Sequence, residues 1–193
     1  MALAQLGVPA GLLAVVGTDE VADRLLEQAS SDGVDISAVV RRHGTENALV
    51  VDVVDGHGQW RYLEDLPHAT LLTEEDVQTA AEKLAAAIAV LVQLQQPAPA
   101  ALAAAHCARE AGRYVLLDGA PDETARDALL AAADIVRTDA REAQHLAGSA
   151  IPDAATALRA GRDLLRRGPR LVVLGGRPNL TSEAIGAQLA QLE

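Results

Sequence analysis

Four short apolar runs constrain this chain more than any other feature: IAVLVQL (88–94), RYVLLDGA (113–120), DIVRT (134–138) and RLVVLGG (170–176). Runs of this length, bounded by polar residues or glycine, read as buried strands. Helical patterns separate them: PAPAALAAAHCAREAG (97–112), PDETARDALLAAA (121–133), DAREAQHLAG (139–148) and DAATALRAGRDLLRRG (153–168). Prolines open the first of these at 97 and 99, and Gly112 closes it. A further helix is predicted over 73–87, with Thr73 as N-cap and Asp76 three residues on. Strand and helix alternate with short connections, which is the rhythm of a mostly parallel sheet flanked by helices.

The first part of the chain has a different rhythm. GLLAVVG (11–17) reads as a strand, and DEVADRLLEQASSDG (19–33) as a helix closed by Gly33. Val21, Leu25, Leu26 and Ala29 are expected on its buried face. Beyond it, Leu49, Val51 and Val53 alternate with Val50, Asp52 and Val54. A DGHG turn (55–58) and a returning QWRYLE complete the pattern of a small antiparallel sheet, taken to span about 38–65.

Composition narrows the classes of function. Half the residues are apolar, yet there is no Phe, one Trp and two Tyr, so the core must be built from Ala, Leu and Val. The formal net charge is −11, which excludes a nucleic-acid binder, since such a protein must neutralise phosphates with Lys and Arg. The single cysteine, Cys107, permits no intrachain disulfide and reads as a packed thiol in a reducing compartment. The apolar N-terminus lacks a basic leader and is too short to span a bilayer. The expectation is a cytoplasmic protein with no membrane partner.

Ligands of open α/β sheets gather at the carboxyl ends of the strands. Here those ends carry Gln93, Gln95 and Gln96, then Asp118, then Asp139 and Glu142, then Gly175 and Gly176. Asp139 and Glu142 stand three apart at a helix start. They read as a capping box, and the same place attracts phosphate and can hold magnesium through water. Asp118 reads either as a turn carboxylate or as a ligand contact. The glycine pair reads as an ordinary turn or as a loop that lets a phosphate or ribose approach. The five histidines have no metal-ligand spacing, and no serine sits in a nucleophile elbow.

The order of these motifs resembles the ribokinase-like, or PfkB, family of carbohydrate and nucleoside kinases. GLLAVVGTDEVADRLLEQASSDGVDISAVV is similar to that family's strand, G-x-D turn and helix leading to GVD. GTENALVVDVVDGHGQWRYLED resembles the lid sheet over the sugar. VLVQLQQP resembles a segment usually ending Glu-x-Pro, and VLLDGAP one reading Leu-Asn-x-Ala-Pro. DIVRTDAREAQHLAG resembles the Asn-x-x-Glu segment, and LVVLGGR the Thr-Leu-Gly-x-x-Gly nucleotide loop.

The resemblance implies a ribokinase-like fold over residues 1–177, with residues 178–193 as a divergent, helical tail. It implies ATP and Mg2+ as cofactors and a sugar or nucleoside as the small-molecule partner. Glu142 would organise magnesium-bound water. Asp139, Asp118, Leu174, Gly175, Gly176 and Arg177 would lie beside the nucleotide and its phosphates, and Gln95 near the sugar. Asp139 and Asp118 replace the family's Asn residues, Gln95 replaces an acid, Val173 takes the Thr position, and Pro178 stands where the loop's last glycine is expected.

The family's Gly-Gly-x-x-x-Asn sugar segment and its Gly-Ala-Gly-Asp segment have no match here, so no catalytic residue is assigned. Because that last segment supplies the base and an anion hole, little turnover is expected from this chain alone. The alternative from another class is a non-catalytic binding or scaffold remnant of the fold. A Rossmann-type nucleotide protein is disfavoured by the lack of a Gly-rich turn. Ile185, Leu189 and Leu192 share one helical face, which would dock on exposed sheet surface or support a homodimer.

Overall fold

The computed structural model describes residues 2–56, 60–121 and 123–175. Gly176, Arg177 and the expected tail helix lie outside the described residues, as does part of the 55–58 turn. The chain divides into two compact units, residues 1–80 and 81–193.

The first unit begins with a short helix α1 (Ala2–Gln5). The apolar run at 11–17 forms two two-residue strands, β1 (Ala10–Gly11) and β2 (Val15–Val16), rather than one. Each finds a parallel partner after helix α2 (Glu20–Ser31): β1 pairs with β3 (Val34–Asp35), and β2 with β4 (Val40–Arg41). The strand near residue 40 therefore belongs with β2 and not with the antiparallel lid. The antiparallel part is β5 (Leu49–Val54) paired with β6 (Trp60–Asp65), in a register that sets Leu49 opposite Asp65 and Val53 opposite Arg61.

Asp19 caps α2 and organises this unit. Its Oδ1 accepts the Ala22 N–H at 2.8 Å, and Oδ2 accepts the Asn47 N–H at 2.8 Å. The Asn47 side chain donates to Asp19 Oδ1 and accepts the Gly17 N–H at 2.9 Å. The cap fixes the phase of the helix, and the buried stripe is Ala22, Leu26 and Ala29. Val21 and Leu25, expected on that face, are half exposed. The small alanines allow Leu26 and Val16 to form a compact cluster with Ile36 and Val39 against it.

Thr73 and Asp76 form the expected capping box at the start of α3 (Glu74–Thr79). The Asp76 carboxylate also pairs with Arg42, which ties the helix to the loop after β4. The helix predicted over 73–87 is interrupted at Ala80, where φ −91° and ψ 5° end α3. A second helix, α4 (Ala81–Ala86), opens the second unit.

The second unit is a four-stranded parallel sheet in the order β10-β9-β8-β7. Its strands are β7 (Ala89–Gln93), β8 (Tyr114–Asp118), β9 (Ile135–Thr138) and β10 (Leu171–Leu174). The connecting helices are α5 (Ala98–Glu110), α6 (Arg126–Ala132), α7 (Ala140–Ala147) and α8 (Ala154–Leu165). Helix α5 packs on β7 and β8, α7 on β9, and α8 on β10. Burial alternates along the strands: Val90, Val92, Val115, Leu117, Val136 and Thr138 are buried beneath the helices. Ala100, Ala101, Ala104, Ala105 and Ala108 form the inner face of α5, and their small size lets the helix lie close to the sheet. Cys107 is half buried, and its thiol meets the Ala81 carbonyl, as a packing thiol should. Among the described residues, no helix is long and apolar enough to cross a membrane.

The amino edge of the sheet is pinned by Asp134. Its carboxylate accepts the Val115 N–H at 2.9 Å, and its carbonyl accepts the Arg170 and Leu171 N–H groups. Three strands are thereby held in register from one side chain and one peptide.

Two predictions follow from these contacts. The Asn47 N–H, then the Ala22 N–H, hold the Asp19 carboxyl below its ordinary value. A carboxylate lowered on folding stabilises above its unfolded pKa, about 3.9 for Asp, and that contribution is lost as pH falls through the folded value. Asp19→Asn should therefore flatten the loss of melting temperature below about pH 4. An unchanged pH profile would remove Asp19 from this role. Separately, the fully buried Thr138 Oγ1 has no hydrogen-bond partner among the described residues. Thr138→Val removes that unsatisfied hydroxyl and should stabilise the chain by about 1 kcal/mol in urea titration.

Candidate functional site at the carboxyl ends of β7–β10

The four parallel strands bring their carboxyl ends to one edge. Register aligns Gln93 with Asp118, Asp118 with Arg137, and Arg137 with Val173. These side chains lie on the face opposite the helices, because buried and outward positions alternate along each strand. The Asp118 carboxylate is the hub of the row. Its Oδ2 accepts from Gln93 Nε2 at 2.8 Å, and its Oδ1 accepts from the Arg137 guanidinium at 2.9 Å. The hydrogen bond that Arg137 donates to Asp118, then the charge of that carboxylate, hold the Arg137 pKa above its ordinary value, and Glu142 and Asp139 add to the effect. Arg137 is thus within electrostatic reach of every acid in the site.

Next to this row, the chain leaves β9 and enters α7 at Asp139. The DARE segment forms a complete capping box: Asp139 Oδ1 accepts the Arg141 and Glu142 N–H groups, and Glu142 Oε2 accepts the Asp139 N–H at 2.7 Å. One oxygen of each carboxylate suffices for the cap. Glu142 Oε1 turns toward Gly119 and Gln95: a Cβ added at Gly119 would lie 3.5 Å from Glu142 Oε1 and 3.6 Å from Gln95 Nε2. Gly119 has φ +112°, a conformation that side-chain-bearing residues rarely adopt. A Cβ there would also crowd Leu94 Cβ at 3.3 Å, so this closely packed corner depends on glycine twice, for its backbone and for its lack of a side chain.

Gly175 closes the other side. Its N–H donates to the Thr138 carbonyl at 2.7 Å. A Cβ there would sit 2.8 Å from Asp139 Cα, so the chain after β10 passes directly over the start of α7.

The structure thus brings together Gln95, Glu142, Asp139, Asp118 and Gly175. Leu174 belongs elsewhere: it follows the outward Val173 and lies beside Gly161 on α8, with Cδ1 3.8 Å from where a Cβ there would sit. Gly176 and Arg177 fall outside the described residues. Arg137 and Gly119 were not singled out from the sequence, and Gln93 was noted only as a polar residue at a strand end. The only available signal was an arginine at an alternating strand position, and its partner is a residue in another strand.

The donor set fits magnesium in one manner only. Among the described residues, no three His, Cys, Asp or Glu side chains converge to cage a metal. Magnesium retains several waters and commonly takes one or two carboxylates together with substrate phosphates. The unused oxygens of Glu142 and Asp139 suit that arrangement. A bare phosphate suits the helix start less well, because two carboxylates already stand there.

The cap also gives a stability test. Asp139→Ala should cost about 1 kcal/mol, and Asp139→Asn much less, since Asn caps nearly as well as Asp. Equal losses from both would show that the charge, not the cap, stabilises α7.

Comparison with known proteins identifies the family and the fold. The chain is 27% identical over 179 residues to the bifunctional ribokinase/ribose-5-phosphate isomerase A of Fructilactobacillus sanfranciscensis, covering 92% of this chain and 33% of that protein. It is 29% identical over 149 residues to a ribokinase of Staphylococcus aureus, covering 77% of this chain and 49% of the relative. It therefore spans between a third and a half of the length of these relatives. Among solved structures, Sa239 superposes with a TM-score of 0.80 at 26% identity, covering 90% of this chain and 57% of that one. The ribokinase of Arabidopsis thaliana complexed with ribose and ATP superposes with a TM-score of 0.72 at 21% identity, covering 89% of this chain and 56% of its own, a likeness of fold. The profile of the pfkB family of carbohydrate kinases matches residues 1–182, and the chain belongs to that family.

Proposed function

We propose that this chain carries the phosphate-handling edge of an ATP-dependent kinase that phosphorylates a hydroxyl of a sugar or nucleoside. One observation carries the reading: Glu142 Oε1 and Gln95 Nε2 both approach Gly119, beside the start of α7. Phosphoryl transfer is catalysed by positioning and by stabilising charge on the moving phosphoryl group. Magnesium, when bound, would supply positive charge to offset that of the phosphates. Glu142 would hold its coordinated water with the oxygen that the cap leaves unused. Asp139 keeps α7 capped and fixes the Glu142 side chain by exchanging backbone hydrogen bonds with it. Gln95 offers both a donor and an acceptor amide group to the hydroxyls of the substrate. Gly175 lies close against Asp139, where the nucleotide would pass.

The roles given to these residues are binding and positioning, so the reading is tested first as binding. Calorimetry with a non-hydrolysable ATP analogue and a panel of small sugars tests this. The expected result is magnesium-dependent nucleotide binding, with the magnesium dependence lost in Glu142→Gln, which keeps the cap but not the charge. Failure of every nucleotide to bind would sink the reading. Stabilisation by ligand with no ATP hydrolysis would mark a binding role, and strong magnesium-dependent turnover would place the base within this chain too.

A further inference from the structure

Three carboxylates and one guanidinium meet where the carboxyl ends of β8 and β9 adjoin the amino end of α7: Asp118, Asp139, Glu142 and Arg137. The two acids of α7 are held by backbone N–H groups at the positive end of a helix, a setting that suits negative charge. Asp118 has no helix start to face. Its compensation is Arg137, at 2.9 Å, with Gln93 saturating its other oxygen. Both members are placed by strand register and not by a flexible loop, since Asp118 and Arg137 are direct partners in the β8–β9 ladder. The pair also differs in exposure: the Arg137 side chain is 57% exposed and that of Asp118 only 23%. The outward surface of the row is therefore guanidinium, with the carboxylate tucked beneath it.

We propose that Arg137 is a specificity-determining residue that acts through Asp118: by neutralising it, Arg137 keeps this edge open to a polyphosphate. The Asp118–Arg137 pair behaves as one neutral polar unit. Without Arg137, a third uncompensated carboxylate would face an incoming anion beside Asp139 and Glu142, and like charges at this range repel through a partly low-dielectric surface. This rests on the nucleotide-binding reading above. It adds that the nucleotide site tolerates an acid at position 118 only because of the cation at 137.

The test is a double-mutant cycle on the full chain, read as the Kd for magnesium with a non-hydrolysable ATP analogue. Arg137→Gln should weaken binding by roughly tenfold at low salt, and the loss should shrink as salt screens the exposed acid. Asp118→Asn alone should tighten binding at low salt, because it removes the acid and leaves the Arg137 guanidinium unopposed toward an anion. The double variant, Arg137→Gln with Asp118→Asn, should return to within about threefold of the parent, because the two changes are coupled through one ion pair. A double variant as weak as Arg137→Gln would overturn the proposal, since Arg137 would then be contacting phosphate directly or only supporting the fold. Arg137→Gln within twofold of the parent would overturn it equally. If the parent chain binds no nucleotide, the kinase reading falls and this inference with it, whereas binding without coupling removes the inference alone. Melting curves for each variant show whether a lost affinity is merely a lost fold.

Discussion

The parallel ladder of β7, β8, β9 and β10 is the constraint on which the second unit depends. Parallel neighbours cannot be joined by a tight hairpin, so each strand must be followed by a helix that carries the chain back. Because all four strands run parallel, every carboxyl end falls on one edge. Side-chain alternation does the rest. Valines and leucines at alternate positions face the helices, and Gln93, Asp118 and Arg137 face away from them. A slip of one residue would turn that polar row into the helix layer and leave buried charges without water. The pattern that specifies the core therefore specifies the site as well.

Charge at this edge is arranged with care for each acid. A helix start is a favourable place for a carboxylate, and Asp139 and Glu142 use it, bonded to each other's backbone. The consequence for function is that the anionic character of the helix start is already supplied by the protein. On the proposed reading, a ligand phosphate would need a cation between itself and these acids, a role magnesium can fill in phosphoryl transfer. Asp118 is handled differently, by an arginine one strand away. Glycine completes the arrangement at two points: Gly119 leaves room between Gln95 and Glu142, and Gly175 lets the chain cross the start of α7.

Much of this was legible in the residues. The alternation of apolar runs and Ala-rich helices specified an α/β sheet, and the DARE and TEED segments announced capping boxes that the structure contains. Helix faces and boundaries were less legible. The cap at Asp19 rotates α2 so that Ala22 is buried and Val21 is not, and Ala80 interrupts a helix where no glycine or proline warns of it. The run at 11–17 looked like one strand because its composition is uniform; its two halves are separated by which partner each one finds. Leu174 was placed with the nucleotide residues because it adjoins the glycines, but its side chain packs beside α8.

By itself, then, the sequence determined the elements, the small-aliphatic core and the polar character of the strand ends, because period and capping are local properties of a few neighbouring residues. Only the tertiary structure decided that Gln93, Asp118 and Arg137 would stand in one row, and that Glu142 would look across Gly119 at Gln95. Those residues are distant along the chain, and what joins them is strand register. Register is settled when the whole sheet buries its apolar face at once.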